Sequence, residues 1–230
     1  MPLFVIGDLH LSLGVNKPMD VFGGNWLYYT ERIIENWNKT VDKGDTVILC
    51  GDTSWGINLE QSLPDFKLLE SLPGTKLLLK GNHDYFWDTT TKMERFFLQN
   101  DISSLKILHN NCYNYGDIGI CGTRGWFYEL DYNERDQKVF NRELVRLEAS
   151  LKAANKNFSK IFVFLHYPPL TFDYKCDKII ELLNFYKVER CYFGHLHGKH
   201  AELAFCGEID DIEYRLISSD YIDFKPLLIQ

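Results

Sequence analysis

The sequence predicts an α/β fold, and three observations point to it. Short continuous apolar runs recur along the 230 residues, each closed by Gly or Pro together with Asp or His. Stretches with helical periodicity alternate with them. Five of the seven histidines stand in these Gly- or Pro-flanked turns, after predicted strands, where open α/β sheets place their ligands.

Taken in order, Leu3 to Ile6 is a buried strand ended by Gly7, with Asp8 and His10 beyond it. In an extended segment, residues two apart face the same side, so both side chains are expected to reach one ion. Ser12 to Gly24 reads as loop. Asn25 to Val41 reads as a helix, because Ile33, Ile34, Trp37 and Val41 share a face. Thr46 to Cys50 is the second strand and carries Gly51-Asp52 at its end. A helix with Leu59, Leu63, Phe66 and Leu69 on one side follows, closed by Pro73-Gly74. Lys76 to Leu79 is the third strand and delivers Lys80-Gly81-Asn82-His83-Asp84, with a helix near Asp88 to Gln99 after it.

The middle of the chain changes character. Lys106 to Leu108, Asn111 to Tyr115 and Asp117 to Cys121 read as short strands with turns between them. A long helix is expected from Asn133 to Lys156, with Phe140, Leu144, Leu147 and Leu151 on one stripe. Ile161 to Leu165 is a strand that delivers His166. Cys176 to Tyr186 is a helix, and Arg190 to Phe193 a strand followed by Gly194-His195-Leu196-His197. Ala201 to Cys206 and Glu213 to Ser218 read as a closing hairpin. There is no internal repeat, low-complexity tract or linker, so residues 1–230 are expected to form a single domain.

Composition sets bounds. Hydrophobic residues make up 45% and charged residues 25%, as in ordinary globular proteins. The net charge of −7 argues against a broad nucleic-acid surface. The six cysteines form no C-x-x-C pair and read as small buried hydrophobes in a reducing compartment. Neither a signal peptide nor a membrane-length apolar run is visible. The expected location is the cytoplasm, with no membrane partner.

The candidate ligands are Asp8, His10, Asp52, Asn82, His166, His195 and His197, drawn from five turns. Carboxylate, amide and imidazole together suit Mn, Fe, Zn, Co or Ni better than Mg or Ca. Cysteine is absent from the set, which argues against a structural zinc site. Seven donors are too many for one ion and suit two ions sharing a carboxylate. His83 can hold or give a proton near neutral pH, and Asp84 can orient it.

The order D-x-H, G-D, G-N-H-D, H, G-H-x-H, spanning Asp8 to His197, resembles the calcineurin-like metallophosphoesterase superfamily. The resemblance implies a four-layer α-β-β-α sandwich of two mixed sheets. It implies two divalent or mixed-valence transition metal ions, with Mn or Fe favoured. Asp8, His10 and His197 would hold the first with Asp52. Asp52 would bridge to the second, completed by Asn82, His166 and His195. His83 would stand over the substrate with Asp84 holding it. The implied reaction is hydrolysis of a phosphoester by a hydroxide held between the ions, since two cations can clamp an in-line displacement at phosphorus.

Several residues carry two readings. Arg124, between glycines at Gly122-Thr123-Arg124-Gly125, could bind a substrate phosphate or pair with a surface carboxylate. Trp55, Tyr85 and Phe86 could wall the site or simply pack. His109 and His200 read as exposed or structural. The expected substrate is a small phosphoester, because lysines are scattered and a nuclease needs a basic track. A nuclease or cyclic-nucleotide phosphodiesterase on the same centre is the alternative. A non-catalytic scaffold would be missing ligands, and none is missing.

Overall fold

The computed structural model describes residues 2–126, 134–155 and 158–230. The backbone groups into two compact units, one formed by Met1–Ile107 with Ile217–Gln230, the other by Leu108–Leu216. Each contains one mixed sheet with helices, as the predicted fold class requires.

The first unit holds a five-stranded sheet. β1 (Leu3–Ile6), β2 (Thr46–Cys50), β3 (Thr75–Leu79) and β4 (Leu105–Ile107) run parallel in that order. β11 (Leu227–Leu228) adds antiparallel to the free side of β1. The central strands are apolar along most of their length because both faces of the sheet are buried; the buried Lys76 of β3 is the exception, and its ammonium donates to Leu72 O and Ser104 Oγ. One face, with Phe4, Ile6, Val47, Leu49 and Leu78, joins a core shared with three helices: α1 (Tyr29–Thr40), α2 (Leu59–Ser71) and α3 (Thr90–Gln99). Trp37, Phe66 and Phe97 are the large anchors of those helices.

α1 starts four residues later than the expected Asn25. Two short 3-10 turns, Met19–Phe22 and Gly24–Trp26, precede it. Tyr28 then takes a left-handed backbone, φ 54°, which cannot continue a helix. The Asn25 side chain donates to the carbonyl of Asp220 at 2.9 Å.

The second unit holds a six-stranded sheet in the order β5 (Cys112–Tyr115), β6 (Ile118–Thr123), β7 (Lys160–Leu165), β8 (Arg190–Phe193), β10 (Ile212–Leu216), β9 (Gly207–Ile209). The middle four strands are parallel, and the two edges are antiparallel hairpins. Helix α4 (Glu134–Asn155) presents Phe140, Leu147 and Leu151 to the core, and α5 (Asp177–Phe185) presents Ile179, Ile180 and Leu183. The expected ends of α4 at Asn133 and Lys156 lie outside the described residues.

The closing hairpin corrects the sequence reading. Ala201 to Cys206 is not a strand. Gly198–Leu203 is a 3-10 helix, and the pairing strand is Gly207–Ile209. The hairpin is set by Asp210 and Asp211, both at positive φ (53° and 62°), between paired Ile209 and Ile212. A two-residue turn of that kind matches strand twist, and it fixes the register downstream of Cys206. No helix among the described residues is long and apolar enough to cross a membrane.

Candidate metal centre

In the first unit, three parallel strands stop at one end of the sheet and release their polar residues there. Backbone conformation marks the place. Asp8, His10 and Asp52 sit at φ 58°, 46° and 50°, a region that costs a non-glycine residue about 1 kcal/mol or more. Asp8 and His10 therefore converge by a left-handed backbone, not through the extended segment expected from the sequence. The turns are held by backbone bonds: Asp8 N–H donates to Gly51 O and His10 N–H to Asp52 O, both at 2.9 Å. The Ser219 hydroxyl donates to the carbonyls of Gly7 and Asp8.

The result is a tight donor group. One carboxylate oxygen of Asp8 lies within 4.8 Å of a His10 nitrogen, and one lies within 4.8 Å of an Asp52 oxygen. His10 Nε2 is 3.8 Å from Asp52 Oδ2. Asp8 and Asp52 are 0% and 1% exposed. Two carboxylates this close and this buried repel each other unless a cation or proton intervenes. Oxygen and imidazole donors of this mix suit a transition metal, so the residues fit the ion that the sequence implies.

The Gly81–Asp84 turn closes over Asp52. His83 N–H donates to Asp52 Oδ1 at 2.7 Å. The Asp84 carboxylate, 1% exposed, faces backbone. Its Oδ2 accepts from Gly81 N–H at 2.6 Å and Asp52 N–H at 2.9 Å, and its Oδ1 from Thr53 N–H at 2.8 Å. Asp84 thus welds the β2 and β3 turns together, a role beyond holding His83. Gly81 is needed for the fit: a Cβ there would stand 2.1 Å from Asp52 Oδ1. Asn82 lies half-buried in the same turn.

Aromatic rings line this half. Trp55 stacks on His10 (centroids 4.8 Å, 23° between planes) and leans on His83 at 4.6 Å. Tyr85 is exposed, with its hydroxyl 3.5 Å from His83 Nδ1. Phe86 is core, against Phe66. Of the three aromatic residues weighed from the sequence, Trp55 and Tyr85 flank His83, and Phe86 packs.

In the second unit, His166 follows β7 and is fully buried, and His195 follows β8 at φ 73°. Gly194 N–H donates to His166 O at 3.1 Å, which extends the β7–β8 register past the strand ends. The two rings meet edge to face at 5.2 Å, with Tyr167 at 4.4 Å from His195. His197 caps the 3-10 helix Gly198–Leu203. His200 is exposed within that helix, and the His109 N–H donates to Asn111 Oδ1.

Arg124 contributes through its carbonyl, which accepts from His166 and Tyr167 N–H. Its guanidinium lies 3.5 Å from Glu143 Oε1 and over the Trp126 ring. Glu143, 2% exposed, also accepts from the Thr123 hydroxyl and Arg146. The sequence offers a substrate phosphate or a surface carboxylate as partner; the carboxylate found is Glu143, which is buried and not at the surface.

Two mixed sheets releasing carboxylate, amide and imidazole donors at their strand ends define a protein of the metallophosphoesterase kind. The chain belongs to the calcineurin-like phosphoesterase family, whose model matches residues 1–199. Members are hydrolases acting on phosphoesters, and they generally use divalent metals. A protein of unknown function from Aquifex aeolicus has a similar structure (TM-score 0.52, 16% identity, covering 99% of this chain and 95% of that one). The anchor protein of the Plasmodium inner membrane complex is also similar (TM-score 0.50, 15% identity, covering 96% and 72%). At such identities the likeness shows the fold alone. No curated protein matches the sequence.

Proposed function

We propose that this protein is a phosphohydrolase dependent on two metal ions and acting on a small phosphoester. The observation that supports it most is the cluster of Asp8, His10 and Asp52, two buried carboxylates and an imidazole gathered on strained backbone. By the family pattern, Asp8, His10, Asp52 and His197 would hold one ion, and Asp52, Asn82, His166 and His195 would hold the other. Bound ions of this kind supply Lewis acidity and ionise water near neutral pH.

The chain's own groups do the rest. His83 has its amide tied to Asp52 and its ring between Trp55 and Tyr85. From there it donates a hydrogen bond to the phosphoryl group or a proton to the leaving oxygen. Asp84 keeps the turn that carries His83 in register with Asp52. Trp55 shields one side of His10 from water.

The test is side-by-side turnover of p-nitrophenyl phosphate and bis(p-nitrophenyl) phosphate by protein reconstituted with Mn or Fe, with bound metal counted. Monoester hydrolysis with about two ions per chain is expected. Preference for the diester would shift the reading to a phosphodiesterase. No turnover of either by metal-loaded protein would overturn it.

A further inference from the structure

Lys17 lies outside every motif, yet its side chain ends on the Trp55 ring, which contacts both His10 and His83. Its Nζ is 3.4 Å from the centre of that ring. The contacts run in an unbroken series from ammonium to indole to the two imidazoles, all within the first unit.

The segment carrying Lys17 is built into place. Leu11 N–H donates to Thr53 O and Trp55 N–H to Leu11 O, so the two turns are knitted together. Leu13 N–H donates to Asp65 Oδ1 at 2.8 Å. Gly14 presses on the backbone of α2, where a Cβ would come 1.9 Å from Gln61 O. Lys17 N–H itself donates to Val15 O at 3.0 Å.

The ammonium is exposed, and among the described residues no carboxylate lies within ion-pair distance of it. An aromatic face attracts a cation through its quadrupole but presents no lone pair. The three N–H donors of Lys17 therefore remain available. A cation held on a rigid platform in a chain of net charge −7, next to the residues that would receive a phosphoryl group, has one obvious complement. That complement is an anion.

We propose that Lys17 binds a second phosphate group on the substrate, so that the protein prefers a bisphosphorylated small molecule over a singly phosphorylated one. This rests on the phosphohydrolase reading above. The scissile phosphate belongs with the donors around Asp52. Lys17, one indole ring further out, serves the phosphate at the other end of the molecule.

Fructose 6-phosphate and fructose 1,6-bisphosphate, as competitors of p-nitrophenyl phosphate and by calorimetric titration, provide the test in wild type, K17M and K17R. Metal content and melting temperature serve as controls. Wild type is expected to bind the bisphosphate more tightly by about tenfold or more, the usual scale of one hydrogen bond to a charged group. K17M should bring the ratio close to one, and K17R should keep most of it. An unchanged ratio in K17M overturns the proposal. An equal loss for both ligands also overturns it, because Lys17 would then serve the scissile phosphate. Absence of p-nitrophenyl phosphate turnover by metal-loaded wild type counts against the phosphohydrolase reading instead, and calorimetry still reports the binding ratio.

Discussion

Asp84 holds Asp52 by the backbone. Asp84 Oδ2 accepts the Asp52 N–H at 2.9 Å, while the Asp52 side chain accepts from His83 N–H at 2.7 Å. Each turn thus supplies an anchor to the other, and the orientation of Asp52 depends on a carboxylate 32 residues away in sequence.

Asp84→Asn tests this weld. One acceptor oxygen becomes an NH2 group facing backbone N–H donors, whichever way the amide turns. Losing at least one charge-assisted bond and leaving a buried donor unmet should cost about 2–4 kcal/mol. Thermal melting should fall, and metal affinity should fall with it. A variant with wild-type melting and wild-type metal binding would show that the weld does nothing.

Gly81→Ala tests the same contact from the other side. The new Cβ meets Asp52 Oδ1 at 2.1 Å and Asp52 N at 2.2 Å. Backbone must move, at a cost of about 1–3 kcal/mol. Metal titration should show weaker binding even where the circular dichroism spectrum is native. Retention of full metal affinity would mean that the turn relaxes without disturbing Asp52.

Asp52→Asn removes a charge from the proposed bridging position. Turnover should disappear, and both ions should bind more weakly, as read by equilibrium dialysis. Near-normal activity contradicts bridging.

His83→Ala should lower the rate by about 10²–10⁴ while metal content stays at the wild-type value. Recovery of a metal-free protein would make His83 itself a ligand.

Asp65 provides a pH-dependent prediction. Its carboxyl is buried in α2, accepts from Ser54 Oγ and Leu13 N–H, and is pushed up to about 6 by desolvation. The folded chain therefore takes this proton more readily than the unfolded chain. The stability linked to it is fully present below about pH 4 and is lost as pH rises through about 6. Asp65→Asn keeps the shape and both hydrogen-bond positions without the charge. In metal-free protein the variant should melt like wild type near pH 4 and should be more stable by up to about 3 kcal/mol at pH 7.5. Equal melting at both pH values refutes the buried charge.

Much of this architecture can be read from residue order. Leu3–Ile6, Thr46–Cys50 and Arg190–Phe193 are strands with the expected bounds, because a buried parallel strand needs an unbroken apolar run and each run here stops at Gly or a charged residue. The donors could be found because they follow those stops directly. The means of their convergence was not legible. Left-handed backbone at Asp8, His10 and Asp52 arises from hydrogen bonds between turns, which no local pattern encodes. The contacts of Asp84 with Gly81, Asp52 and Thr53, and of Lys17 with Trp55, depend on the same tertiary pairing. Ala201 to Cys206 does not pair with β10, since Ala201, Glu202 and Leu203 are better helix formers than strand formers and lie in the 3-10 helix, and the Asp210-Asp211 turn decides where pairing starts.

The first sheet is sewn shut by its latest stitches. Ser219 fastens Gly7 and Asp8, and Leu227–Leu228 line the outer side of β1. Ser219 and Asp8 are 211 residues apart, so the posture of Asp8 rests on a contact of very long sequence separation. Contacts of that span form only once the chain has largely folded, so the final geometry of that aspartate, and any ion it grips, is coupled to closure of the whole sheet.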